Sequence, residues 1–138
     1  MSKFSGGCLC GSMSYEIDAE PVMSAICHCT HCRRQTGSAF STIAAFPADS
    51  VKIEGHTLET YEDTGDSGMP VLRKFCKQCG SPLFTDVKAM PGLLFVKTGT
   101  LDQPEEVRMG AEIWCKSKLP ATTLGEGLPQ FEGNPPTS

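Results

Sequence analysis

A chain of 138 residues has the length of one domain. Hydrophobic residues make up 39% of it and aromatics 7%, with 14 glycines and 10 prolines, so the core is modest, the chain turns often, and metal staples would help it hold together. The formal charge is −4 and the basic residues are scattered apart from short pairs such as Arg33-Arg34, Arg73-Lys74 and Lys116 with Lys118, which argues against a nucleic-acid partner.

The N-terminus, Met1 to Gly7, contains no apolar run of signal-peptide length, and no later segment approaches the ~18 consecutive apolar residues of a membrane span. No membrane is expected, and a reducing, cytoplasmic compartment is the expected setting. In that setting eight cysteines at clustered short spacings point to metal binding rather than to a disulfide framework.

The first cluster is Gly6-Gly7-Cys8-Leu9-Cys10-Gly11, two thiols flanked by glycines whose backbone freedom lets neighbouring sulfurs converge on one ion. Ser12 to Asp18 then alternates polar and apolar residues, the pattern of a half-buried strand. Pro21 interrupts, and Val22 to Ile26 leads into Cys27-His28-Cys29-Thr30-His31-Cys32-Arg33-Arg34, which packs three cysteines, two histidines and two arginines into eight residues. Three thiols so spaced cannot share one face of a strand, and a tight turn wrapping its sulfurs around zinc is the expectation.

Ala39 to Phe46 reads as a largely buried strand, and short strands are expected at Val51 to Glu54 and Leu58 to Glu62. Asp63 to Pro70 is turn-rich, and the strand Val71 to Phe75 delivers Cys76-Lys77-Gln78-Cys79-Gly80, a zinc-knuckle pattern. A thioredoxin-type redox pair shares that gap but needs a helix starting at the motif, which Gly80 and Pro82 disfavour. Further strands are expected at Ser81 to Val87, Leu93 to Thr98 and Ala111 to Lys116. The architecture is therefore mainly β, with one domain over 1–125 and a frayed tail over 126–138.

Cys8 and Cys10 pair naturally with Cys76 and Cys79 in a closed four-sulfur site, which leaves Cys27, Cys29 and Cys32 with an open position. Spacing alone leaves other partitions open, with Cys115, His28 or His31 as a fourth ligand of the triad. His28 and His31 read as exposed turn residues, or as groups that hydrogen-bond a sulfur or shuttle protons. His56 reads as a surface residue, Cys115 as a small buried hydrophobe in a strand, and Trp114 as a core or pocket wall. Arg33 and Arg34 are either a solvated pair or a grip on thiolate or carboxylate charge.

The order Gly-Gly-Cys-x-Cys-Gly, then Cys-His-Cys-x-x-Cys-Arg followed by Thr-Gly-Ser, then Cys-x-x-Cys-Gly, then Gly-Thr-Leu-Asp, resembles the glutathione-dependent formaldehyde-activating (GFA) family, also called the centromere protein V/GFA domain. These motifs run from Gly6 to Lys118. The resemblance implies a fold of small coiled antiparallel sheets similar to methionine sulfoxide reductase B and translationally controlled tumour protein. It implies two zinc ions per chain, a structural one on Cys8, Cys10, Cys76 and Cys79 and a catalytic one on Cys27, Cys29 and Cys32, and it carries over Arg33 as a family position. The implied function is a carbon–sulfur lyase of S-(hydroxymethyl)glutathione synthase type, with glutathione as the partner and formaldehyde or another small electrophile as co-substrate. The alternative is a non-catalytic zinc-binding interaction module, which a fourth protein ligand on the triad would favour. Two positions depart from the family pattern: Glu112 stands where many members have histidine, and Ala121 where many have tryptophan.

Overall fold

The alternating and apolar runs become strands in the computed structural model, which describes residues 3–122 and 127–136. Among these residues the chain forms β1 (Phe4–Gly7), β2 (Ser14–Ile17), β3 (Met23–Cys27), a single α-helix α1 (Thr30–Thr36), β4 (Ser41–Pro47), β5 (Val51–Glu54), β6 (Leu58–Thr64), β7 (Pro70–Cys76), β8 (Pro82–Val87), β9 (Leu93–Lys97) and β10 (Glu112–Ile113). A small sheet has the order β1-β2-β5, and a large one the order β10-β3-β4-β9-β8-β7-β6. Every pairing of named strands is antiparallel except that of β10 with β3. The mainly β expectation holds. No helix among the described residues is long and apolar enough to cross a membrane.

The large sheet is buried on both faces at its centre, which is why β4 and β9 read as nearly continuous apolar runs rather than as alternations. On one face Phe4, Tyr15 and Ile17 of the small sheet pack against Ala44, Phe46, Phe84 and Val96. Phe4 meets Phe46 and Tyr15 meets Phe84 edge-on, with ring centres 5.6 and 5.1 Å apart. On the other face Ala25, Cys27, Ile43, Ala45, Phe95 and Ile113 gather with Cys32 of α1, and Trp114 and Phe131 pack at the margin. Successive residues of β4 thus serve two different cores.

Three local expectations are corrected. The triad is not a turn alone, because Thr30–Thr36 is helical. Cys29 caps the helix start, its Sγ accepting from Cys32 N–H at 3.2 Å. Gly37, at φ 69°, ends it by donating its N–H to the Arg33 carbonyl at 2.9 Å. The strand expected over Ala111 to Lys116 is only two residues long, since Trp114 adopts φ 58° and turns the chain into a 3-10 segment, Cys115–Ser117. Cys115 therefore lies outside any strand and is only half-buried.

The described part of the tail is hydrogen-bonded to β10 and the residues after it. Phe131 N–H donates to the Glu112 carbonyl at 2.9 Å, and Trp114 N–H donates to the Gly133 carbonyl at 3.0 Å. The Trp114 indole N–H reaches Asn134 Oδ1 at 2.8 Å. Residues 123–126 and 137–138 of the expected boundary and tail lie outside the described residues.

Candidate metal centres

The four-sulfur cluster is assembled by two tight turns. After Cys8-Leu9-Cys10, Gly11 takes φ 82° and donates to the Cys8 carbonyl; after Cys76-Lys77-Gln78-Cys79, Gly80 takes φ 82° and donates to the Cys76 carbonyl. Only glycine enters that backbone region freely. The Sγ atoms of Cys8, Cys10, Cys76 and Cys79 all lie within 4.8 Å of one another. Cys8 to Cys10 is 3.6 Å and Cys10 to Cys76 is 3.8 Å. Four Zn–S bonds of about 2.3 Å in a tetrahedron give edges of about 3.8 Å, so this donor set fits zinc.

Hydroxyls surround the cluster. Ser12 Oγ lies 3.0 Å from Cys10 Sγ and 3.3 Å from Cys76 Sγ, Thr57 Oγ1 lies 3.2 Å from Cys76 Sγ, and Ser81 Oγ lies 3.2 Å from Cys79 Sγ. Hydrogen bonds from Ser12 and Thr57 draw the Cys76 thiol down to about 5, and Ser81 draws Cys79 down to about 7. Such thiols are ready to bind a metal as thiolates.

The triad sits on the opposite face of the large sheet. Cys27 ends β3, Cys29 caps α1 and Cys32 lies in its first turn, which brings the three Sγ atoms within 4.8 Å of one another, with Cys27 and Cys32 3.4 Å apart. Among the described residues no fourth cysteine, histidine, aspartate or glutamate joins them. Three thiols converging at this spacing also fit zinc, with one position left over.

Strand register supplies what surrounds the triad. Cys27 is opposite Ser41, Ile43 is opposite Lys97, and Arg73 continues through Thr85 to Phe95, so Ser41, Lys97 and Arg73 share the triad's face. Arg73 and Lys97 are both buried. Arg73 Nη1 reaches toward Cys32 Sγ at 3.8 Å, while its Nε donates to Asp63 Oδ2 at 2.9 Å. The same carboxylate oxygen meets His31 Nδ1 at 2.7 Å. Lys97 Nζ donates to Ser41 Oγ at 2.8 Å. Hydrogen bonds from Cys27 and Cys29, with the charges of Lys97 and Arg73 behind them, hold the Cys32 thiol far below its ordinary value. Burial alone would raise it; the hydrogen bonds from the two neighbouring thiols outweigh burial, and the cations add to them.

Beside the triad runs a shallow cleft of about 300 Å³, whose lining includes Thr36, Phe40, Ser41, Ser81, Lys97 and Thr100. It touches both centres indirectly, since Ser41 neighbours Cys27 in the sheet and Ser81 hydrogen-bonds Cys79.

The remaining candidates fall as follows. His28 is fully buried rather than exposed and does not join the cluster of triad sulfurs: its Nε2 lies 2.9 Å from Glu112 Oε1, and its buried Nδ1 has no hydrogen-bond partner among the described residues. His31 is exposed and engaged with Asp63, and His56 is exposed. Arg33 is half-buried on α1, with its backbone N–H bonded to the Cys29 carbonyl. Neither Glu112 nor Ala121 lines the cleft. Sequence reasoning did not single out Ser41, Asp63, Arg73 or Lys97; the signal available was that Arg73 shares the parity of Val71 and Phe75 on its strand, and Lys97 that of Leu93 and Phe95 on its own.

Fold and sites together define a mainly β chain built around two cysteine clusters able to hold metal ions. The chain belongs to the glutathione-dependent formaldehyde-activating enzyme family, whose profile matches residues 3–117. A relative from the fungus Colletotrichum graminicola, named provisionally as a glutathione-dependent formaldehyde-activating enzyme, is 31% identical over 108 residues, covering 72% of this chain and 56% of that protein. This chain thus spans little more than half of that relative's length. A crystal structure of a Rhodobacter sphaeroides protein shares the fold with a TM-score of 0.57 at 17% identity, covering 92% of this chain and 98% of that one.

Proposed function

We propose that this protein is a zinc-dependent carbon–sulfur lyase that joins glutathione to formaldehyde or another small electrophile, of the S-(hydroxymethyl)glutathione synthase type. The observation that carries the reading is the triad, which combines three convergent thiols with no fourth protein donor among the described residues and a cleft alongside. Family membership and the relative's name point to the same chemistry.

Cys27, Cys29 and Cys32 would hold the catalytic zinc, and Cys8, Cys10, Cys76 and Cys79 the structural one. Bound at the triad, zinc supplies a fourth coordination position that takes an incoming thiol as its thiolate at neutral pH. The chain's own residues do the rest. Arg73 and Lys97 place positive charge beside the sulfurs, which offsets the accumulation of thiolates. Arg33 on α1 would grip a glutathione carboxylate, and the cleft would give the tripeptide a surface along which to lie. A reducing cytoplasm would keep both the triad and the substrate thiol available.

The test is a panel of thiols and electrophiles with zinc-loaded protein, following carbon–sulfur bond formation by NMR with labelled formaldehyde against the spontaneous background. Acceleration with glutathione that disappears in Cys29→Ser supports the assignment. Fully zinc-loaded protein that accelerates no thiol addition would transfer the assignment to a non-catalytic interaction module.

A further inference from the structure

Lys97 is a buried cation with no carboxylate to match it among the described residues. It is 5% exposed, and its ammonium donates to Ser41 Oγ. Burying a charge is costly unless something compensates it, and the negative charge that faces Lys97 is that of the triad sulfurs. Arg73, the other buried cation of this face, is already committed to Asp63 and Cys32 and does not line the cleft. Lys97 and Ser41 do line it.

Position narrows what Lys97 can serve. Ser41 is the sheet partner of Cys27, so the ammonium is held on the residue next to a triad cysteine, and the charges of all three sulfurs act on it. An anion seated on Lys97 from the cleft side is therefore close to whatever sulfur enters beside the triad. The carboxylates of a tripeptide thiol lie at the far ends of the molecule. The atom that comes close is the oxygen of the electrophile, joined to the same carbon that receives the sulfur.

We propose that Lys97, held by Ser41, is a catalytic residue that stabilises the oxygen that becomes negative as a carbonyl electrophile adds to the thiol sulfur. The inference deepens the function proposed above and rests on it. In the step, a sulfur–carbon bond forms, the carbonyl π pair moves onto oxygen, and the proton the thiol lost on binding returns to that oxygen through solvent. Thiol plus aldehyde gives the hydroxymethyl thioether, and nothing is oxidised or reduced. A preorganised ammonium in a site withdrawn from water is the kind of group that favours such an oxyanion over the neutral carbonyl.

The experiment compares the full-length zinc-loaded protein with Lys97→Met, Lys97→Arg and Ser41→Ala, measuring zinc content, glutathione affinity from the spectrum of cobalt-substituted protein, and kcat against KM. It also compares binding of S-(carboxymethyl)glutathione, which carries negative oxygens beside the sulfur-bearing carbon, with that of S-methylglutathione. Lys97→Met is expected to lower kcat about a hundredfold while zinc content and glutathione affinity hold, and to remove a preference of about tenfold or more for the carboxymethyl compound. Lys97→Arg should retain much of that preference, and Ser41→Ala should lose part of it. Loss of zinc in parallel with kcat would overturn the proposal, because Lys97 would then merely balance the triad. So would a fall in glutathione affinity with kcat unchanged, which would make Lys97 a grip on the thiol substrate. A wild-type cobalt spectrum indifferent to glutathione would remove the lyase reading itself, and this proposal with it.

Discussion

His28 Nε2 and Glu112 Oε1 are 2.9 Å apart, and both side chains are fully withdrawn from solvent. His28 lies between two triad cysteines, while Glu112 belongs to β10, which runs parallel beside β3. Lys118 Nζ reaches the same carboxylate oxygen at 3.2 Å, and Gln130 Nε2 donates to the other at 2.9 Å. One carboxylate therefore fastens the triad segment to the C-terminal part of the chain.

Removing that carboxylate should be felt through stability first. Burial pushes the Glu112 carboxyl up, but the hydrogen bonds of His28 and Gln130 and the Lys118 ammonium outweigh it and hold it below the usual carboxylate range. A group with a depressed folded value contributes stability that is complete above its unfolded value, about 4.3, and is lost as pH falls through the folded one. Glu112→Ala should cost about 3 kcal/mol at neutral pH, since it strands buried His28 and half-buried Lys118. Glu112→Gln should cost less and should flatten the acid limb of a stability-versus-pH curve measured by urea unfolding. An acid limb identical to wild type would remove Glu112 from this role.

The two cysteine clusters should differ in what they support. Cys76 is fully buried in the core beneath the small sheet, and its cluster ties the end of β1 to the end of β7. Structural zinc contributes folding free energy directly, so Cys76→Ser should lower the melting temperature strongly or prevent folding. Cys29→Ser should lose activity while keeping most of the melting temperature. Equal destabilisation by the two changes would contradict the division of labour.

Much of this was legible in the sequence because the signals were local. The alternation at Tyr15 and Ile17, the apolar run at Ile43 to Phe46, and the glycines that close the two turns after Cys10 and Cys79 are each decided within a few residues. Pairings across distant strands were not legible. Nothing near Arg73 announces Cys32, and nothing near Lys97 announces Ser41; both contacts come from strand register in a seven-stranded sheet. The exposed reading of His28 failed for the same reason, since its partner Glu112 lies 84 residues away. The α1 helix was hidden because Cys29, read as a ligand, also serves as its N-cap.

Metal lability should separate the centres as well. A three-sulfur site has one strong ligand fewer than a four-sulfur site, and the latter is further braced by the hydroxyls of Ser12, Thr57 and Ser81. Protein purified with zinc is expected to carry two ions per chain and to fall toward one under mild chelation while far-UV circular dichroism is preserved. Simultaneous release of both metals, or retention of both, would count against the assignment.

Glutathione should bind through its sulfur at the triad with a carboxylate near Arg33. Arg33 is half-buried on α1, one residue beyond Cys32, and its guanidinium makes no hydrogen bond or ion pair among the described residues, so it is available to a ligand. An acidic chain needs local positive charge to hold an anionic tripeptide. Sulfur coordination should shift the spectrum of a cobalt-substituted triad as the fourth ligand changes, whereas the tripeptide with serine in place of cysteine should bind weakly and leave the spectrum alone. Arg33→Ala should weaken glutathione by roughly 1 to 3 kcal/mol, the worth of a charged hydrogen bond, without changing zinc content. Because Arg33 would act on a carboxylate and not on the sulfur, the same substitution should leave the affinity for 2-mercaptoethanol, which has no carboxylate, unchanged. Equal weakening of both thiols would mean that Arg33 acts through the conformation of α1, and a spectrum unmoved at saturating glutathione would exclude coordination by its sulfur.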